Sequence, residues 1–293
     1  IMYRLIKLAV KVTSMLPRGF LLAVSGFLGR VWFVFDRRHR KIVISNIQHA
    51  YPGKYSRVQA RAFARKNFLH TAGMVFEIIW AYGKKPDALF PYFIIKGEQH
   101  LAAALKKGGV VLLTGHLGNF ELLVPSFAKM GCAPHVLYRR LDFAPLDRLV
   151  LEVRQRFGMK LIPLRKAAPK VAKALNSGDV VGVLLDQNVD WYKGVFVDYF
   201  GQPACTNNGL AKLILQTKAS VLPMFIIKKG DRYIHEILPP LPVTETRDPI
   251  KDIEINTQTF VSAIESMVRR CPEQYFWVHN RWKTKPYCTL ERK

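Results

Sequence analysis

The stretch that decides the fold is Gly108–Glu121, G-G-V-V-L-L-T-G-H-L-G-N-F-E. Val110–Thr114 is too short for a helix and lies between glycines, which predicts a strand buried on both faces. A helix over Leu101–Lys107 precedes it, and a helix over Phe120–Lys129 follows. Working outward, Pro134–Tyr138 reads as a strand, Asp147–Phe157 as a helix closed by Gly158, and Lys160–Pro163 as a short strand. Ala167–Asn176 is a further helix, and Val180–Asp186 (VVGVLLD) is a second apolar strand. The pattern continues with a helix at Gly209–Lys218, a buried strand at Ser220–Ile227, an edge strand at Tyr233–Leu238 and a long helix at Asp252–Arg270. Strands alternating with helices of about ten residues predict an α/β fold with a mostly parallel central sheet flanked by helices. In such a sheet, chemistry sits in the loops after the strand C-termini.

Upstream, Ser56–Tyr82 carries apolar residues at helical spacing and predicts one or two long helices. The first 70 residues hold fourteen Lys and Arg against a single acid, Asp36, in a chain whose formal net charge is +24. Charge of that size favours an anionic partner. No zinc finger, RNP-type aromatic signature or helix-turn-helix accompanies it, so nucleic acid is not the expected partner. Hydrophobicity accompanies it instead. Gly19–Phe35 is seventeen residues interrupted only by Arg30. Leu5, Leu8, Val12 and Met15/Leu16 interleave with Arg4, Lys7 and Lys11 as in a basic amphipathic helix. The cationic flank Asp36–Lys41 follows, as expected beside anionic headgroups on a cytoplasmic membrane face. No small-residue cleavage site follows the apolar run, which argues against a cleaved signal peptide. Residues 1–45 are therefore expected to form an N-terminal membrane-associated helical region, and 46–293 the catalytic domain.

Much chemistry is excluded. Cys132, Cys205, Cys271 and Cys288 stand far apart with no C-x-x-C pair, which leaves no zinc or iron–sulfur framework and suits a reducing compartment. Neither a P-loop nor a dinucleotide fingerprint is present. No cofactor and no metal are expected.

His116 stands at the end of the first central strand, between two glycines, with Glu121 five residues on. Five residues on one helix differ by about 140° and do not face each other. The two can meet only with His116 on the loop and Glu121 on the first helical turn, as Gly115 and Gly118 permit. A carboxylate on one ring nitrogen fixes the tautomer and frees the other to take a proton from a hydroxyl. No G-x-S-x-G and no cysteine beside a base are present, so the base is expected to activate the substrate itself.

The segment L-L-T-G-H-L-G-N-F-E resembles the H-x-x-x-x-[DE] block of the lysophospholipid acyltransferase superfamily, and more narrowly the bacterial lipid A biosynthesis (late) acyltransferases. The likeness extends through Asn46–Pro52, Tyr138–Arg148, Leu185–Asn188, Gly194–Thr206 and Glu273–Thr284, in the family's order along nearly the whole chain. It implies transfer of a fatty acyl chain from an acyl-carrier-protein thioester to a hydroxyl of a lipid A precursor at the inner membrane. It further implies His116 as general base, Glu121 as its orienting partner, and no covalent acyl-enzyme. Arg154 resembles a family arginine that would face the developing oxyanion or a phosphate, with Arg139 and Arg140 as neighbours for that task. Asp186 matches the family's D-Q block and is expected to hold an arginine or a substrate hydroxyl; Asn119 is expected to donate to substrate or to stabilise the turn. The aromatic run Trp191, Tyr192, Phe196, Tyr199 and Phe200 is expected to line an acyl channel or rest on the bilayer. The block reads D-Q-N rather than D-Q-D. Phosphatidylinositol mannoside acyltransferases, which use acyl-CoA, resemble the same profile, so donor and acceptor are not fixed by the resemblance.

Overall fold

The computed structural model describes residues 1–286. Nine strands and eleven α-helices are seen among them. In chain order the first elements are α1 (Met2–Ser14), α2 (Arg18–Phe35), α3 (Arg37–Ala50), α4 (Arg57–Tyr82), α5 (Pro86–Leu89), β1 (Phe93–Lys96), α6 (Glu98–Leu105) and β2 (Val110–Thr114). Then come α7 (Leu123–Lys129), β3 (His135–Tyr138), α8 (Ala144–Arg156), β4 (Lys160–Pro163), α9 (Ala168–Asn176) and β5 (Val180–Leu184). The last are β6 (Gly194–Tyr199), β7 (Gln202–Asn207), α10 (Gly209–Thr217), β8 (Ser220–Lys229), β9 (Arg232–Ile237) and α11 (Pro249–Arg270).

Seven strands form one sheet in the order β1-β9-β8-β2-β5-β3-β4. β2, β3, β4, β5 and β8 run parallel, β9 is antiparallel to β8, and β1 is parallel to β9. The expected mostly parallel α/β sheet is thus the observed one. Because β2 is central, its alternate residues enter different cores. Val111 and Leu113 pack with Val43, Ile47, Phe68, Phe260 and Ile264, while Val110 and Leu112 pack with Trp80, Leu101, Leu123 and Phe127. All five residues of β2 are buried, as an apolar run without alternation requires.

Two strand pairings decide where the chemistry falls. Thr114 of β2 lies opposite Leu184 of β5, so the loops that begin at Gly115 and Leu185 leave the sheet side by side. β3 and β4 end at the same edge, with Tyr138 opposite Pro163.

Two features differ from expectation. β1 and the hairpin β6–β7 are additional strands, the hairpin turning through Phe200 (φ 61°) and Gly201 (φ 75°). Tyr199 and Phe200 are accordingly core residues rather than channel or bilayer contacts, whereas Trp191 and Tyr192 are exposed. Residue 45 also falls inside α3, whose Val43 and Ile47 share a core with β2, so no break in packing separates the N-terminal helices from the catalytic body.

The N-terminal helices turn apolar residues outward. α1 faces the protein with Tyr3, Ile6, Lys7 and Val10, while Leu5, Leu8 and Val12 are exposed. α2 buries Leu21, Ser25, Gly29 and Phe33, a one-turn-spaced stripe toward α4, where a Cβ on Gly29 would lie 3.0 Å from Leu69 Cα. Phe20, Phe27, Leu28, Val31, Val34 and Phe35 are exposed. Among the described residues, α2 is the one helix long and apolar enough to cross a membrane. Asp36 ends this apolar run and caps α3, accepting the His39 backbone N–H at 3.0 Å and the Trp32 indole N–H at 2.9 Å.

Candidate active site

Gly115 begins the loop after β2 and is tightly enclosed there. A Cβ at this position would lie 3.3 Å from the carboxyl carbon of Asp186 and 3.0 Å from a methyl of Ile264. Gly118 has φ +60°, and a Cβ on it would fall 1.8 Å from the Ile226 carbonyl oxygen. The loop therefore runs close under β8 and beside the end of β5.

That path delivers His116 to Asp186. The imidazole Nδ1 lies 2.7 Å from Asp186 Oδ1, and the His116 backbone N–H donates to Asp186 Oδ2 at 2.8 Å. Asp186 is 3% exposed. Burial alone would raise its pKa, but the charge and hydrogen bonds of His116 overcome it and hold the carboxyl well below the usual range. Burial likewise opposes the imidazolium of His116, and Asp186, with a smaller contribution from Glu121, overcomes it and raises the His116 pKa above 6.5. With Nδ1 occupied, Nε2 remains; the Gln187 amide nitrogen lies 3.3 Å from it.

Glu121 is elsewhere. Its carboxylate accepts two hydrogen bonds from Arg154, from Nε at 3.1 Å and from Nη2 at 2.5 Å. This is a bidentate clamp, the strong form of an arginine–carboxylate pair. The expected pairing of His116 with Glu121 is thus replaced by two pairs, His116–Asp186 and Arg154–Glu121. The cause is topology. β5 sits beside β2 in register and presents Asp186 at the height of Gly115, while the 3₁₀ turn Phe120–Leu122 carries Glu121 toward α8, which holds Arg154.

His116, Glu121, Arg154, Arg139 and Gln187 border one cavity of about 710 Å³. Its walls are mainly aliphatic and aromatic, including Phe127, Leu137, Val171, Leu184, Leu210 and Leu213. The lining thus combines an imidazole and a carboxylate-held guanidinium with apolar walls, a combination able to take a substrate with a polar centre and a long apolar tail.

Three expected site residues stand outside it. Asp186 is buried behind His116 and touches the imidazole rather than the cavity. Asn119 is fully buried and turned toward α4, where its amide donates to Met74 O at 3.1 Å and to Glu77 Oε2 at 3.0 Å, so it anchors the loop. Arg140 is exposed and absent from the cavity walls.

The C-terminal segment contributes a support that sequence reasoning missed. Phe276 N–H donates to His116 O at 2.9 Å, Gly118 N–H donates to Gln274 O at 3.0 Å, and Leu117 bridges to Tyr275. His279 Nε2 accepts the Asn188 backbone N–H at 2.9 Å, and Asn188 exchanges hydrogen bonds with Thr284. The motif E-Q-Y-F-W-V-H-N-R-W thus secures both loops, while its Tyr275, Trp277 and Trp282 are core. The resemblance already marked Glu273–Thr284, but nothing local in the segment says that its backbone holds the His116 loop. Among the described residues, no group of His, Cys, Asp and Glu could hold a metal ion. Cys132, Cys205 and Cys271 are free thiols that do not line the cavity, and Cys288 lies outside the described residues.

Fold and site define an α/β enzyme with a strand-end histidine over an apolar chamber. The family described as bacterial lipid A biosynthesis acyltransferase matches residues 3–284. A lipid A biosynthesis lauroyltransferase of Escherichia coli is 27% identical over 263 residues, 88% of this chain and 84% of that protein. A lipid A biosynthesis palmitoleoyltransferase of the same organism is 23% identical over 276 residues, covering 92% and 87%. A phosphatidylinositol mannoside acyltransferase of Mycobacterium tuberculosis is 25% identical over 194 residues, covering 64% and 60%. The chain belongs to the bacterial lipid A biosynthesis acyltransferase family. It is an acyltransferase of the late lipid A type, with a lipid as acceptor.

Proposed function

We propose that the enzyme moves a fatty acyl chain from an acyl-carrier-protein thioester to a hydroxyl of a lipid A precursor at the cytoplasmic face of the bacterial inner membrane. The observation that carries this reading is the pairing of His116 with Asp186 at the head of the apolar cavity, beside Arg154 in the grip of Glu121.

His116 Nε2 takes the proton of the acceptor hydroxyl as its oxygen attacks the thioester carbonyl carbon. Negative charge develops on the carbonyl oxygen, and Arg154, fixed by Glu121, faces it; a cation that needs no reorganisation is worth most there. The C–S bond then breaks, and the departing thiolate takes the proton from the His116 imidazolium. Every proton and electron pair is accounted for without an acyl-enzyme. The apolar walls hold an acyl tail, and Arg139 at the rim suits the phosphates of acceptor or donor.

The outward apolar and basic faces of α1 and α2 support docking on an anionic membrane. The basic balance of the chain suits an acidic carrier protein. The test is a mass-spectrometric transfer assay with acyl-carrier-protein thioester and a tetra-acylated lipid A precursor, run beside acyl-CoA and beside His116→Ala. The gain of one acyl chain from the carrier thioester, lost in the variant, is the expected result. Transfer from acyl-CoA alone would overturn the donor, and no transfer from either would overturn the acceptor.

A further inference from the structure

The mouth of the cavity has a lip of its own. β3 and β4 end side by side at the sheet edge where the site lies, and Leu164 N–H donates to Tyr138 O at 2.8 Å, which ties together the two loops that follow them. Tyr138, Arg139, Leu164 and Lys166 line the cavity. Beyond Arg139 the chain continues as R-L-D-F-A-P-L into α8, with Leu141 43%, Phe143 46% and Leu146 41% exposed, while Leu164 across the mouth is 55% exposed. The segment is ordered by its own contacts, since Leu141 N–H donates to Asp147 Oδ1 at 2.9 Å. Leu164, which lines the cavity, and Leu141, Phe143 and Leu146, which follow the cavity-lining Arg139 along the chain, are thus large apolar side chains left in solvent on two joined segments that also carry Arg139, Arg140, Arg148, Arg165 and Lys166. Surface apolar residues scattered singly need no explanation, but four on two joined segments that start from a cavity wall do.

This lip is joined to the outward apolar helix. Glu152 of α8 holds Lys7 of α1 at 2.5 Å and accepts from the Tyr3 hydroxyl, and the Arg148 guanidinium stacks 4.2 Å from the Tyr3 ring centroid. Those contacts use the inward face of α1 and leave Leu5, Leu8 and Val12 free on the other side.

We infer that Leu141, Phe143 and Leu146 enter the headgroup–acyl boundary of an anionic bilayer, so that a lipid acceptor passes from the leaflet into the cavity without crossing water. The inference rests on the reading of the acceptor as a membrane lipid. An acidic protein would pair with the arginines but leave the four apolar side chains uncovered. An anionic lipid surface satisfies both, with guanidinium groups at the phosphates and the apolar side chains below them.

Amide hydrogen exchange on the full-length wild-type protein decides this without reference to catalysis. With vesicles of phosphatidylglycerol and phosphatidylethanolamine, exchange over residues 139–148 is expected to slow, and to slow less with phosphatidylcholine alone. In the triple variant Leu141→Ser/Phe143→Ser/Leu146→Ser, that protection is lost while α1 and α2 stay protected. The same variant should transfer to acceptor dispersed in detergent at the wild-type rate, and to acceptor embedded in vesicles about tenfold more slowly. Unchanged exchange on vesicle addition overturns the proposal, as does protection by acyl carrier protein but not by vesicles. Equal rates for the variant on both acceptor presentations also overturn it. Absence of transfer by the wild type in either presentation would remove the reading of the reaction, and the exchange result would still decide the lip.

Discussion

Asp186 holds His116 at two points, with Oδ1 at 2.7 Å from the ring Nδ1 and Oδ2 accepting the backbone N–H at 2.8 Å. One carboxylate thus fixes both the loop and the imidazole ring that the loop carries. The carboxylate five residues further along, Glu121, fixes Arg154 instead. An imidazole and a guanidinium, each with its own acid, are brought to one cavity by the loop after β2, the end of β5, the 3₁₀ turn and α8.

Replacing His116 by Ala removes the proposed proton acceptor and should lower transfer by at least about a hundredfold, with a lowered melting temperature, because the buried Asp186 carboxylate keeps the backbone N–H but loses the imidazole. Turnover comparable with wild type would remove the base assignment. Circular dichroism and thermal melting fix a temperature at which the variant is folded, and transfer measured there separates loss of chemistry from loss of fold.

Glu121 and Arg154 should behave as one unit. Glu121→Ala and Arg154→Ala are each expected to lower kcat/KM by about 10²–10³, the usual worth of a preorganised oxyanion donor. The double variant should lose little more than either single one, since each change already breaks the clamp. Additive losses would show that the two side chains act separately.

Gly118→Ala is expected to destabilise the protein by more than about 2 kcal/mol, because the left-handed backbone and the Ile226 carbonyl both reject a Cβ. Chemical denaturation measures this directly. Gly53, also at positive φ but with no neighbour within 4 Å, is the control, and its Ala variant should cost less.

Arg281 is 1% exposed and donates to Cys205 O at 2.8 Å and to the Thr206 hydroxyl. Arg281→Ala leaves the buried Cys205 carbonyl with only the Val189 N–H at 3.4 Å and opens a cavity where the side chain packed, and should cost about 2–4 kcal/mol in the same denaturation experiment. Transfer measured below the melting transition should fall far less than in His116→Ala.

The sheet was legible because β2, β5 and β8 announce themselves as short apolar runs bounded by glycine or polar residues, and the helices between them keep their 3.6-residue spacing. The hairpin β6–β7 was missed because G-V-F-V-D-Y-F-G is as aromatic as a ligand wall, and only tertiary packing shows Tyr199 and Phe200 inside the core. His116 was legible from its place at a strand end between glycines. Its acid partner was not, since Glu121 is near in sequence whereas Asp186, seventy residues away, is near only through strand order and register. Asn119 shows the same limit, because nothing local says that its amide turns back toward Glu77.

The most direct test of Asp186 as the acid behind the base is the pH dependence of kcat/KM in wild type, Asp186→Asn and Glu121→Gln. On the proposed mechanism His116 acts as a base only when neutral, and its pKa is raised above 6.5, so the wild-type rate should climb with pH through a limb above 6.5. In Asp186→Asn, burial is left without its counter-charge, so that limb should move to lower pH. The rate on the plateau should fall by about 10²–10⁴, because the amide no longer fixes the productive tautomer. Glu121→Gln should lower the rate while moving the limb much less. A wild-type limb and rate in Asp186→Asn, with the shift appearing in Glu121→Gln instead, would contradict Asp186 as the orienting group and return that role to Glu121.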